Sequence, residues 1–201
     1  FFLEILLFFP YITLVSFGTD IQPWGILVAT VVAIILLLHG YKFKKVIILL
    51  LLPMAFSFLL FPLQDNQFNA IRSMSGYATI ALIPLVFHYA LKHYYINTIS
   101  CLKFAVIVYL VVGAIQLLID PSFMSFLLNR AEGGGGSGVY SLSSEPTFYG
   151  LICLFLILTF SALETPNKLT YIYLLLFQII VIAQSSMVIL LLLISLFFYL
   201  L

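Results

Sequence analysis

The sequence predicts an all-α protein: a polytopic transmembrane helix bundle of about eight spans, part of a larger bundle. Three observations predict it. Of 201 residues, 64% are hydrophobic and only 7% charged, against about 25% charge in soluble domains. Mean hydropathy is +1.25, too high for a dissolved surface. The apolar runs are also long and lack the period-two alternation of barrel strands, so the spanning elements are helices. Finally, the few charges are sorted along the chain rather than scattered. The net charge of +1 points to no nucleic-acid partner. Residues 1–201 read as one transmembrane domain, with an extracytoplasmic Gly-rich loop over 120–145. Both ends lie inside apolar runs, which reads as a piece of a longer chain. The opening FFLEILLFF has no basic region before it and no small-residue cleavage site after it, so it is not a signal peptide.

Breaks in the apolar pattern place the spans, in order, near 1–17, 24–39, 46–61, 70–91, 101–119, 146–163, 169–184 and 186–201. The first carries Glu4 near its inner end, where a long side chain snorkels. Tyr11, Trp24 and Tyr41 suit the aromatic belt. Lys42, Lys44 and Lys45 separate the second span from the third, Lys92 and Lys103 the fourth from the fifth, and Lys168 the sixth from the seventh. All lysines thus fall on one side, which the positive-inside tendency makes the cytoplasm. Arg72, Arg130, Asp20, Asp65, Asp120, Glu132 and Glu145 fall on the other. Outer arginines run against the insertion bias, and guanidinium is suited to two-point contact with carboxylate or phosphate.

The fourth span opens NAIRSMSGYAT. Arg72, Ser75 or Gly76, and Thr79 recur at helical steps and form a small, polar stripe on its outer half. Pro84 kinks the span below that stripe. His39, His88 and His93 belong to packing or capping toward the inner side. Gln116 and Gln178 suit hydrogen bonds between helices. Cys101 and Cys153 read as small apolar residues at different depths, without a bridge, and no CxxC or HExxH spacing marks a metal site. The break QSSM at 184–187 is either a tight turn or a polar point within one longer helix.

The segment NRAEGGGGSGVYSLSSEPTFYG, 129–150, carries the chemistry. Ser143 or Ser144 can cap the sixth span, whose first turn suits Pro146. Glu145 then sits at the positive helix end, paired with it or acting as a functional carboxylate at the membrane mouth. GGGGSG, 133–138, can wrap an anion or act as a flexible linker, and its composition is also that of an engineered spacer. Arg130 and Glu132 either pair with each other or serve a phosphate and a proton. Tyr140 and Tyr149 flank the Ser-Glu stretch and either stack on a sugar ring or pack.

Arg130, the glycine-rich loop and GVYSLSSEPTFYG opening a helix resemble the O-antigen and capsule repeat-unit polymerases (Wzy-type). Those proteins are polytopic and Leu/Ile/Phe-rich, with a Gly-Val-x-Ser-Leu-x-x-Glu-Pro-Ser-like segment; Thr147 stands here for its serine. QSSMVILLLLI, 184–194, is similar to the Ser-rich start of the next helix. The resemblance implies a glycosyltransferase of the bacterial inner membrane with its active site facing the periplasm. It would move oligosaccharide from a polyprenyl diphosphate carrier to the next lipid-linked repeat unit, among membrane lipid and with a chain-length regulator protein as a partner. Glu145 and Glu132 are the candidate catalytic residues. Arg72, Arg130, Tyr140 and Ser144 are the candidate substrate contacts. No cofactor is expected, and metal is not required because arginine supplies the positive charge, while the outer carboxylates leave room for a divalent ion. The alternatives are an O-antigen ligase using the same donor, and a transporter or flippase of anionic lipid or solute.

Overall fold

The computed structural model describes residues 8–12, 24–39, 59, 82, 86–128 and 138–200. These residues are mostly helical and contain no β-strand, so the all-α expectation holds for them. The chain divides into two compact units, one of Phe1–Leu7 with Pro23–Ile99 and one of Phe8–Gln22 with Ser100–Leu201.

In the first unit, α1 spans Trp24–Leu38. Ala29, Ala33 and Leu36 recur at steps of four and three and pack with Val86, flanked by Val32, Leu82 and Tyr89. The opposite positions, Leu27, Val31 and Ile34, are exposed although equally apolar. Residues 86–93 are helical. His93 packs against Tyr89 with ring centroids 4.4 Å apart and the planes tilted by 35°. His39 Nδ1 donates to the Ile35 carbonyl at 2.8 Å, closing the C-terminal end of α1 as the capping expectation has it.

The second unit is built on α2, Tyr95–Leu118, from Ser100 onward, followed by a short 3-10 turn at Ser125–Leu127. Then come α3, Pro146–Ala162, and α4, Lys168–Phe177. A π-helical segment, Gln178–Ala183, continues α4, and α5 runs over Ser186–Leu200. At 24 residues α2 is long and apolar enough to cross a membrane. Its rise of 1.5 Å per residue gives about 36 Å against a hydrocarbon core of about 30 Å. It starts earlier than the expected residue 101. The polar residues that suggested a boundary are accommodated, since Thr98 Oγ1 donates to the Tyr94 carbonyl at 3.1 Å. Pro146–Ala162 and Lys168–Ala183 are apolar but shorter. By length, therefore, the described helices do not amount to the expected eight spans.

Buried residues on α2 include Thr98, Leu102, Ala105, Tyr109, Val112 and Gln116, with Ile99, Cys101 and Val106 buried beside them. Steps of four and three make the former a single stripe. α3 repeats the pattern with Tyr149, Cys153, Leu156 and Phe160. The contacts fix directions. Tyr149 meets Gln178 while Phe160 stacks on Tyr171 at 5.2 Å, so α3 and α4 are antiparallel. Lys103 lies over Tyr171 and Gly113 lies against Ile182, so α2 runs parallel to α4. Lys103 and Lys168 thereby share one end of this helical trio, and Asp120 and Glu145 the other. The expectation of an unbroken helix over 1–17 is corrected within 8–12. Pro10 sits in a turn, and Ile12 makes an isolated bridge to Leu128. Cys101 and Cys153 are both buried, and neither forms a disulfide.

Candidate functional site

The Ser-Glu segment does not hang free; residues 138–144 are bolted to the helices. Gly138 has φ +103°, and a Cβ there would collide with the Ala183 carbonyl. Only glycine reaches that backbone state at this distance without strain. The next residue, Val139, donates its N–H to Ile182 O at 3.0 Å. That carbonyl belongs to the last turn of the π-helical segment, where helix acceptors lack partners of their own. Gln184 N–H reaches back to Ile179 O at 3.0 Å, and Gln184 itself is left-handed with φ 49°. QSSM is therefore a tight turn, one of the two forms the sequence allowed.

Ser141 is the fixed point. Gln116, fully buried on the α2 stripe, accepts the Ser141 N–H at 2.7 Å and donates to the Ser141 carbonyl at 3.0 Å. The same amide nitrogen donates to Phe123 O at 2.9 Å. Ser141 Oγ donates to Tyr109 O at 2.9 Å. One glutamine thus holds two loops by their backbones, and every polar group of Ser141 is satisfied at a residue with φ 49°. Around it the polar core is closed by Tyr149, whose hydroxyl donates to Gln178 Oε1 at 2.8 Å. Gln178 Nε2 donates to Val106 O at 3.4 Å. The two glutamines do link elements, Gln178 helix to helix and Gln116 helix to loop. Gly113 gives Tyr149 and Ile182 room beside α2, and Gly150 gives room to Val188 of α5.

Neither serine caps α3, contrary to expectation. Ser143 Oγ shares its proton between Tyr140 O and Glu145 O, each at 2.7 Å. Its hydroxyl thus closes the preceding turn instead of serving the helix. Pro146 does occupy the first helical position, and Glu145 stands at the N-cap in extended conformation without a side-chain cap bond. Glu145 is half-buried, and its carboxylate has no hydrogen-bond or ion-pair partner among the described residues. Ser144 is buried, and its hydroxyl too has no partner among them. Thr147 Oγ1 lies 3.4 Å from Ser185 Oγ and ties the start of α3 to the turn before α5.

Tyr140, a candidate sugar platform, has its ring buried with Tyr11 and Leu128, and its hydroxyl donates to Pro121 O at 2.9 Å. Burial, and next the negative charge of Asp120, push its pKa up. Asp120 itself accepts from Ser122 Oγ at 2.7 Å and Ser122 N–H at 2.8 Å. Those two bonds hold its carboxyl below the usual range. Arg72, Arg130, Glu132 and the glycines 133–136 lie outside the described residues, as does the Arg72 stripe. Among the described residues no group of three His, Cys, Asp or Glu side chains is placed to hold a metal ion. Of the candidates, the structure therefore brings Tyr140, Ser144 and Glu145 into one stretch, with Glu145 at its rim.

Gln116, Tyr109 and Ser141 form the scaffold of this site. A signal for the first two was present: both are polar residues on the α2 heptad stripe. No protein-family model, curated protein or solved structure matches the chain.

Proposed function

We propose that the chain belongs to a multi-pass glycosyltransferase of the bacterial inner membrane, with about eight spans. It polymerises repeat units carried on polyprenyl diphosphate at the periplasmic surface. The observation that carries the proposal is Glu145: a carboxylate without a partner among the described residues, held at a helix start by a segment whose backbone is otherwise pinned. Preorganised groups beside a dry interior act most strongly on developing charge. The apolar residues exposed along α1 to α5, among them Ile34, Val111, Phe155, Tyr173 and Leu190, support a lipid surround. So does the separation of Lys103 and Lys168 from Asp120 and Glu145 along the helical trio.

In the proposed reaction the acceptor sugar hydroxyl attacks the anomeric carbon of the donor. The new carbon–oxygen bond forms as the anomeric carbon–phosphate oxygen bond breaks. The diphosphate leaves with the bonding pair, its charge met by Arg130. The hydroxyl proton passes to Glu145, with Glu132 the second candidate base. Tyr140 and Ser144 shape the wall from within the pinned segment.

Incubating the intact protein with lipid-linked repeat unit tests this. Glycan lengthening is the expected result. Reaction only after a second acceptor is added identifies a ligase, and lipid or solute movement without a change in glycan identifies a transporter. Glu145→Gln is expected to lower turnover at least about a hundredfold, the usual weight of a general base, while donor binding holds. Equal loss of binding and turnover would reduce Glu145 to a structural role. Arg130→Lys, which keeps the charge but loses the fork, is expected to be inactive.

A further inference from the structure

We propose that the turn joining α3 to α4, with Lys103 of α2 beside it, binds the phosphate headgroup of a membrane lipid at the face opposite Glu145. The site rests on the membrane reading of the chain and not on its glycan chemistry.

The cluster is built from three helices. Lys103 Nζ stands 5.4 Å from the centre of the Tyr171 ring, and that ring is stacked flat on Phe160 of α3, with 6° between the planes. Lys168 lies three residues before Tyr171 and so on the same side of α4. Both lysines therefore belong to the same end of the helical trio. Both lysines are half-buried, their stems along apolar surface and their charges at its edge. Glu164 in the same turn supplies one opposing charge, so the lysines outnumber it two to one.

Backbone donors add to the positive end. α4 opens on Asn167, left-handed at φ 62° and without a side-chain cap bond. The Leu169 N–H has no partner among the described residues, and such orphan donors together with the helix dipole favour an anion. Two residues before Asn167, the buried Thr165 Oγ1 has no hydrogen-bond partner among the described residues, where buried hydroxyls as a rule have one.

The rim decides between a lipid and a soluble anion. Ile107, one turn along α2 from Lys103 and on the same side, is 42% exposed. A dissolved phosphate gains nothing from that apolar border, whereas a headgroup brings its own acyl chains to cover it. Paired lysines at such a surface attract anionic lipid.

Native mass spectrometry of the intact protein, released from mixed phosphatidylglycerol and phosphatidylcholine micelles, tests the assignment. The wild type is expected to retain phosphatidylglycerol in preference. The K103Q/K168Q variant is expected to lose that preference by roughly 10- to 30-fold, the weight of two lysines near an anionic surface. Circular dichroism of the variant establishes that the helices remain, and K103R/K168R, which keeps both charges, is expected to restore the preference. An unchanged preference in K103Q/K168Q overturns the proposal. So does stabilisation of the wild type by millimolar inorganic phosphate without any lipid preference, which would assign the cluster to a soluble anion. Glycan lengthening is not measured, so a failed polymerase assay leaves this outcome intact.

Discussion

Single residues carry the position of the Ser-Glu segment. Gly138 cannot accept a side chain, because its backbone is at φ +103° and its Cβ would meet the Ala183 carbonyl. Gly138→Ala is expected to cost more than about 2 kcal/mol through strain and displaced packing, seen as a lower melting temperature in detergent. Gln116→Leu keeps the volume but leaves the Ser141 N–H, Ser141 O and Phe123 O without partners. Buried polar groups stranded in this way cost about 1–3 kcal/mol each. The variant is therefore expected to melt lower still and to expose 138–145 to protease. Both residues were visible in the sequence, but with other meanings. Gly138 read as the end of a linker or anion loop, and Gln116 as a helix-to-helix bond. Composition cannot report a left-handed backbone pressed on a carbonyl, nor which of two nearby backbones an amide will choose.

Among the elements, α3 was the most legible. Its start at Pro146 follows from the fixed φ of proline and the missing donor that a first helical turn does not need. Its end at Ala162 lies one residue from the expected limit. The capping expectation failed because Ser143 finds two carbonyls closer to hand. The π-helical segment had no herald in QIIVIA; it is a backbone state recorded in the bond from Gln184 to Ile179. The connection after α2 carries its own pH dependence. Asp120 is anchored by Ser122, so its carboxyl titrates below the unfolded value of about 3.9. Its contribution is present above that value and is lost as pH falls through the lower folded one. Proteolysis of the 120–128 connection is accordingly expected to rise below about pH 4, and Asp120→Asn is expected to flatten that rise. No such rise in the wild type would show that the Ser122 bonds do not hold the turn.

For the whole molecule, helix and not strand was legible from composition, and so was the placing of Lys103 and Lys168 at the end away from Asp120 and Glu145. The number of spans was not. Hydropathy marks apolar runs without saying how long each helix is when it folds. Pro146–Ala162 and Lys168–Ala183 rise no more than about 26 Å, below the roughly 30 Å of a typical hydrocarbon core. In the membrane reading, such helices favour a thinner bilayer. The protein is expected to melt higher in short-chain than in long-chain phosphatidylcholine, and the reverse order would count against these helices as spans. The segment at 8–12 bears on synthesis. Tyr109 donates its hydroxyl to Phe8 O across 101 residues, and Phe9 stacks on the same ring at 5.1 Å. At roughly 5–20 residues per second, Phe8 and Phe9 leave the ribosome about 5–20 s before that tyrosine. For that interval the two phenylalanines must wait without the aromatic ring and hydroxyl they meet in the finished fold.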